Sequence, residues 1–272
     1  MNKNRFTVAK SAALAAGKIL LASYGRLKSG DVSQKSKNDF VTVIDKKSEK
    51  AILSILKKHF PDDVIQAEES GVTPGHGALW IIDPLDGTSN YIHQFPLFSV
   101  SIGLMEHGRL SFGVIYDPVH KELFTAERGK GAFLNGKRIR VSPTPKLANG
   151  LMATGFPFRA RDRFDEYIES FRRITLASTG VRRGGSAALD LAYVACGRFD
   201  AFWELDLSPW DIAAGAVIVE EAGGVISDMW GRHEFLKSGD TLASNGRIHG
   251  ELARITGSVF SHTAKDKLCR SI

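Results

Sequence analysis

Two aspartates, Asp83 and Asp86, follow directly on an apolar run in the stretch WIIDPLDGTSNY, residues 80–91. Carboxylates that close repel one another, and burial at a strand end adds a desolvation cost. Asp, Pro and Gly are also common turn residues, so the stretch alone fits a solvated turn as well. Three other features shift the balance towards a functional site. Thr88 to Tyr91 can open a helical turn whose free N–H groups face an anion. Glu68 and Glu69 close the strand-like run VIQAEES, 64–70, and a strand end beside Asp83 would gather carboxylates on one edge. Asp211 follows Pro209-Trp210 at a helix start, where a capping acid stabilised by the helix dipole is the ordinary expectation. Together Glu68, Asp83, Asp86 and Asp211 form an oxygen-only set, which suits hard divalent cations and Mg²⁺ above all. The chemistry such ions support is phosphoryl transfer to water, with two ions about 3.5–4 Å apart clamping the attacking and leaving oxygens. No activated Ser, Cys or His nucleophile is evident, so the reaction needs no phosphoenzyme.

The elements that must position these residues are legible in outline. Phe6, Ala9, Ala13, Ala16 and Leu20 recur at helical spacing and predict an amphipathic first helix ending near Gly25, followed by a polar loop to Asp39. DFVTVID, 39–45, is strand-like and leads into a helix through Phe60, stopped by Pro61. LWII, 79–82, reads as a buried strand. From Phe98 to Val141, short alternating runs around His107-Gly108 and Asn135-Gly136 predict an antiparallel meander. A helix is expected around 161–174. GGSAALDLAYVACG (184–197) and PWDIAAGAVIVEEAGG (209–224) read as helices, with strands at 200–207, 225–229 and 241–245 and a helical tail from Ile248. Helices and strands come in blocks, which favours layered α+β packing over a doubly wound sheet.

Composition sets broad limits. The chain has 272 residues, 43% of them hydrophobic, and a net charge of +6. The charge is scattered, and short runs such as Lys46-Lys47 and Arg182-Arg183 read as solvated surface rather than a nucleic-acid face. Cys196 and Cys269 are far apart with no spaced histidines, which argues against a disulfide framework or zinc and suits a reducing cytoplasm. Lys18 interrupts the apolar run that would otherwise resemble an export signal, and no stretch is expected to span a membrane. His93 reads as structural, and the glycines of ERGKGAFLNGK as turn residues rather than a phosphate loop.

The paired stretches WIIDPLDGTSNY and PWDIAAGAVIVEEAGG resemble the signature pair of the inositol monophosphatase family. AEES, NDFVTVID and GSAALDLAYVACG match further family blocks in order, and NDFVT, ATGFPF and RRGGSAALDLAYVA are most similar to its bacterial extragenic-suppressor branch. The resemblance implies one domain over 1–272, with halves 1–145 and 146–272, folded as an αβαβα layered sandwich. It implies Mg²⁺-dependent hydrolysis of a small phosphorylated polyol, myo-inositol 1-phosphate first, with two or three ions and lithium sensitivity.

By motif, Glu68, Asp83, Asp86 and Asp211 would bind metal, with a backbone carbonyl from Leu85. Thr88 and Glu68 would orient or deprotonate the attacking water, Asp45 would stand behind Thr88, and Lys35 would lie near the cluster. Leu85, Asp86, Gly87, Thr88 and Asp211 would meet the phosphate end of the substrate; Gly185, Ser186, Ala187 and Glu204 would face its ring, with Arg182 on the substrate side. Gly184 stands where a threonine is expected. The bacterial branch also implies a homodimer and a second role: a binding protein of ribosomal-RNA antitermination, with Nus-type transcription factors and RNA polymerase as partners. Histidinol phosphate is the rival substrate on the same fold.

Overall fold

The computed structural model describes residues 4–36 and 39–261. Helix α1 (Arg5–Ser23) starts at Asn4, whose side chain accepts the Phe6 N–H. Its buried face is Val8, Ala9, Ala12, Ala13, Ala16, Gly17 and Leu20; of the expected stripe Phe6 alone is only partly buried, packing against the edge of the same core. Strand β1 (Val32–Ser36), where the sequence predicts a polar loop, pairs antiparallel with β2 (Asp39–Thr42), the front of the expected DFVTVID strand, whose last three residues are already helical. Lys35 lies on β1, and its side chain is outside the described residues, as is Cys269. Thr42 then caps α2 (Val43–His59), with Asp45 at the third helical position closing a capping box.

A large sheet follows. Its strands are β3 (Val64–Ala67), β4 (Gly71–Thr73) and β5 (Leu79–Asp86), then, after the short helix α3 (Thr88–Ile92), β6 (Ser99–Glu106), β7 (Arg109–Asp117), β8 (Glu122–Glu127), β9 (Gly131–Leu134) and β10 (Lys137–Arg138). The order across the sheet is β10-β9-β8-β7-β6-β5-β3-β4. From β5 to β10 each strand pairs antiparallel with the next, which is the expected meander. Both hairpin dipeptides adopt positive φ, 51° and 71° at His107-Gly108 and 50° and 78° at Asn135-Gly136, matching the right-handed twist of the strands they join. Only β3 and β5 run parallel, with Ala67 opposite Ile82.

The second half builds a smaller sheet. Strand β11 (Leu151–Thr154), helix α4 (Phe164–Ala177), strand β12 (Gly180–Arg182), helix α5 (Ala187–Ala195), strand β13 (Ala201–Glu204), helix α6 (Pro209–Glu221), strand β14 (Val225–Ser227), helix α7 (Phe235–Ser238), strand β15 (Thr241–Ser244) and helix α8 (His249–Gly257) complete the described chain. The sheet order is β12-β11-β13-β15-β14.

The layers are α1 and α2, the large sheet, α5 and α6, the small sheet, and then α4 and α8. This is the αβαβα sandwich. Three apolar clusters fill the gaps between layers, one around Ile52, Trp80 and Val100, one around Ile81, Leu191 and Ile218, and one around Met152, Trp203 and Leu252. Helix α6 is buried on nearly every face from Ile212 to Val219, as a central-layer helix must be. It rests on glycines. A Cβ at Gly113 would stand 2.2 Å from the Ala214 carbonyl oxygen, and one at Gly103 2.9 Å from the Ala213 Cβ. Gly103 and Gly113 are paired across β6 and β7, so the sheet offers α6 a bare track.

By length and composition, α1 meets the requirement for crossing a membrane, contrary to the sequence expectation; a core helix of a soluble protein meets the same requirement. Here its alanine face packs against α2, β6 and β7.

Candidate active site

The strand β5 does not end at Ile82, as its apolar run suggests, but carries DPLD to its end with a bulge between Asp83 and Asp86 in its pairing with β6. Bulges re-aim side chains at sheet ends, and here both aspartates turn into one cavity of about 320 Å³. The Leu85 N–H donates to Asp83 Oδ1 at 2.9 Å, and the Ser48 hydroxyl to the Pro84 carbonyl at 2.8 Å, which fixes the kinked end. Glu68 lies just beyond β3, its N–H bonded to the Ile82 carbonyl at 3.1 Å, so the parallel pairing delivers it beside Asp83. Asp211 arrives from the other side at the third position of α6, in a capping box with Ser208. The Ser101 hydroxyl donates to the Trp210 carbonyl at 3.1 Å and ties this helix start to β6.

Oxygens of Asp83, Asp86 and Asp211 come within 4.8 Å of one another, and all three residues are buried. Glu68 lines the same cavity. Burial, then the charge of Glu68, pushes the Asp83 carboxyl well above its ordinary range. Burial and Asp211 raise Asp86 to about 7, against hydrogen bonds from Ser186 and Ala188 that favour the ionised form. At an effective dielectric of about 20, two carboxylates at that spacing repel by about 3 kcal/mol. The cluster therefore holds protons or a cation, and an all-oxygen donor set fits Mg²⁺.

Behind the aspartates stands a second device. The Thr88 hydroxyl lies 3.0 Å from Asp45 Oδ1 and 3.1 Å from the Leu85 carbonyl oxygen, with one proton to give to either. Asp45 is fully buried, and its Oδ2 accepts the Thr42 N–H at 2.9 Å and the Thr42 hydroxyl. Burial raises Asp45 to about 6, with the Glu68 charge adding to the rise and the Thr42 and Thr88 hydrogen bonds resisting it. Gly87 turns the chain into α3 with φ of 94°, and a Cβ there would stand 3.0 Å from the Leu97 carbonyl oxygen. Gly87 is thus required both by its backbone angle and by the close approach.

The far wall differs from expectation in detail. Gly185, Ala187 and Glu204 line the cavity. Ser186 does not, because its hydroxyl donates to Asp86 Oδ2 beneath the surface. Glu204 closes β13 and fills the space above Gly155, where a Cβ would stand 2.0 Å from its carboxylate. Burial and the Asp211 charge raise Glu204 to about 8, with Arg183 opposing. Arg182 is exposed on β12 and donates to the Val181 carbonyl at 3.1 Å, outside the cavity; its neighbour Arg183 lines it instead, its guanidinium 5.6 Å from the centre of the Phe156 ring. His93 is exposed at the end of α3 and takes no part.

Two lining residues carry no sequence signal. Arg159 donates to Asp211 Oδ2 at 3.0 Å, and Asp206 holds a left-handed backbone with φ of 59°. Both sit in loops, where no periodicity points inward.

A five-layer sandwich thus carries a buried cluster of three aspartates where the end of β5 meets the start of α6. The chain belongs to the inositol monophosphatase family, whose model matches residues 1–260. Among known proteins it is 49% identical over 244 residues to the Nus factor SuhB of Pseudomonas aeruginosa, covering 88% of this chain and 90% of that one. The crystal structure of the extragenic suppressor protein SuhB from Bartonella henselae superposes with a TM-score of 0.90 at 41% identity, covering 93% of this chain and 98% of that one. The inositol monophosphatase of Anabaena (Nostoc) sp. PCC 7120 gives a TM-score of 0.85 at 44% identity, over 94% and 96% of the two chains.

Proposed function

We propose that this protein hydrolyses a small phosphate monoester with Mg²⁺, myo-inositol 1-phosphate first among candidates. The observation that carries this reading is the three-aspartate cluster, whose buried oxygens lie within 4.8 Å of one another and suit a shared cation. Glu68, Asp83, Asp86, Asp211 and the Leu85 carbonyl would hold the ions. Bound there, Mg²⁺ would neutralise phosphoryl charge and make water a competent nucleophile at neutral pH.

The protein's own groups do the rest. The Thr88 hydroxyl takes a proton from the attacking water as it passes its own to Asp45 Oδ1, 3.0 Å away. An Asp45 carboxyl near 6 is ionised at neutral pH yet basic enough to accept that proton. Glu68, which lines the same cavity, orients the water. The N–H groups opening α3 at Gly87 and Thr88 receive the phosphate. Glu204, largely protonated at neutral pH, presents a hydroxyl and a carbonyl to the ring hydroxyls, with Gly185 and Ala187 leaving room beside it.

A second reading concerns what the protein does in the cell. The P. aeruginosa relative is named a Nus factor, and that name favours a transcription-associated binding role, with Nus-type factors and RNA polymerase as partners and phosphatase activity secondary. The two readings share one fold and separate cleanly. Phosphate release from a panel including myo-inositol 1-phosphate and histidinol phosphate, with Mg²⁺ or EDTA, tests the chemistry and ranks the substrates. Replacing the chromosomal copy with Asp83→Asn tests the cellular role. A variant without turnover that still supports growth and antitermination assigns that role to binding.

A further inference from the structure

Arg159 lies in the connection between β11 and α4 and lines the cavity. Its Nη1 donates to Asp211 Oδ2 at 3.0 Å and to Ser208 Oγ at 3.3 Å. The Ser208 N–H donates to the same Asp211 oxygen at 2.7 Å. The guanidinium rests on the ring of Phe158, 5.2 Å from its centre. Asp211 is also one of the three clustered aspartates. A fixed positive charge therefore sits on a carboxylate that the proposed metal site also needs.

The Arg159 side chain is 29% exposed, and its Nη1 meets Asp211 Oδ2 at the cavity wall. Arg163, a few residues on, donates from its Nη1 to both carboxylate oxygens of Asp240 and is 6% exposed. Arg163 is enclosed with its carboxylate, whereas Arg159 keeps partial access to solvent where it lines the cavity. Ser208 already supplies the capping bond that orients Asp211, so the arginine is not required to fix the carboxylate's direction.

We propose that Arg159 competes with the divalent cation for Asp211 and sets the ion concentration at which that side of the cluster fills. The inference rests on the metal reading above and adds to it a residue that no ligand motif would contain. Two cations at one carboxylate repel, so removing the side chain's charge tightens cation binding. A residue that merely oriented Asp211 would have the opposite effect on removal.

The test is calorimetric titration of the full chain with Mg²⁺, without substrate, for wild type, Arg159→Gln, Arg159→Met and Arg159→Lys. Both neutral variants should bind Mg²⁺ more tightly by about 3–10-fold, and Arg159→Lys, which keeps the charge, should stay within about twofold of wild type. The gain should shrink as salt is raised. Unchanged or weaker binding in folded neutral variants overturns the proposal. No Mg²⁺ binding by wild type removes the metal reading itself, and the inference with it, so the two failures are told apart by which protein fails.

Discussion

Ser186 and Asp86, 100 residues apart in sequence, meet in a hydrogen bond donated by the Ser186 hydroxyl to Asp86 Oδ2. The same carboxylate oxygen accepts the Ala188 N–H at 2.9 Å. Ser186 is the cap of α5, and Asp86 ends β5. One carboxylate thus serves both the metal cluster and the start of a helix between the sheets, and the site is welded to the central layer.

Replacing Ser186 with alanine should therefore have two effects. It removes a helix cap and an Asp86 partner, costing about 1–2 kcal/mol of stability in urea denaturation. It also removes one of the two hydrogen bonds to Asp86 Oδ2, leaving that of the Ala188 N–H, so Mg²⁺ affinity measured by titration should change, although Ser186 does not line the cavity.

Acidic groups in the site make stability depend on pH in a defined direction. Asp45, Asp86 and Glu204 are raised to about 6, 7 and 8. The folded chain therefore holds more protons than the unfolded one from the ordinary carboxylate range up to about pH 8, and stability falls as pH rises through that window. In EDTA the melting temperature should be lower at about pH 8 than at about pH 6, a loss on the order of 1–3 kcal/mol. Mg²⁺ binds the ionised form, so its stabilising effect should be larger at the higher pH. Scanning calorimetry under the four conditions decides it.

Thr88→Ala should lower kcat by about 10²–10⁴-fold with little change in Mg²⁺ affinity, because the proton relay is lost and the carboxylates remain. Thr88→Ser keeps the hydroxyl and should retain most of the activity. Steady-state kinetics with the preferred monoester checks both.

Gly113→Ala tests how far α6 placement governs Asp211. The added methyl would meet the Ala214 backbone at 2.2 Å. The helix must shift, at a cost of about 1–3 kcal/mol, and Mg²⁺ affinity should fall although no ligand is changed. Denaturation and titration of the same preparation separate the two losses.

Asp190 is buried, and one of its oxygens has no hydrogen-bond partner among the described residues. Burial with the charges of Glu204 and Asp86 holds its carboxyl well above the ordinary range. Asp190→Asn should stabilise the metal-free chain at about pH 8 by on the order of 1 kcal/mol. The gain should shrink as pH falls and the raised native carboxyl takes up its proton. Gly184 is constrained by the same group, since a Cβ there would stand 2.7 Å from Asp190 Oδ1. That accounts for glycine where the resemblance leads one to expect threonine.

Much of this is legible in the residues. Asp83, Asp86 and Asp211 are marked by carboxylates placed where repulsion needs a reason, and the meander by its Asn-Gly and His-Gly turns. Strand β1 is not legible, because DVSQKS lacks the apolar alternation that marks a half-buried strand. Arg182 and Arg183 are adjacent and chemically alike. Successive side chains on an extended segment point opposite ways, and only the packing of β12 decides which one faces the cavity. Arg159 reaches Asp211 from a loop 52 residues away, a contact made by a long flexible side chain and written in no local pattern.

The most direct measurement is anomalous diffraction from crystals soaked in Mn²⁺ as a stand-in for Mg²⁺, collected on wild type and Asp83→Asn. The account predicts at least one strong anomalous peak between Asp83, Asp86 and Asp211 in wild type, lost or weakened in the variant. A wild-type crystal with the cavity open to solvent and no peak among those carboxylates would contradict it.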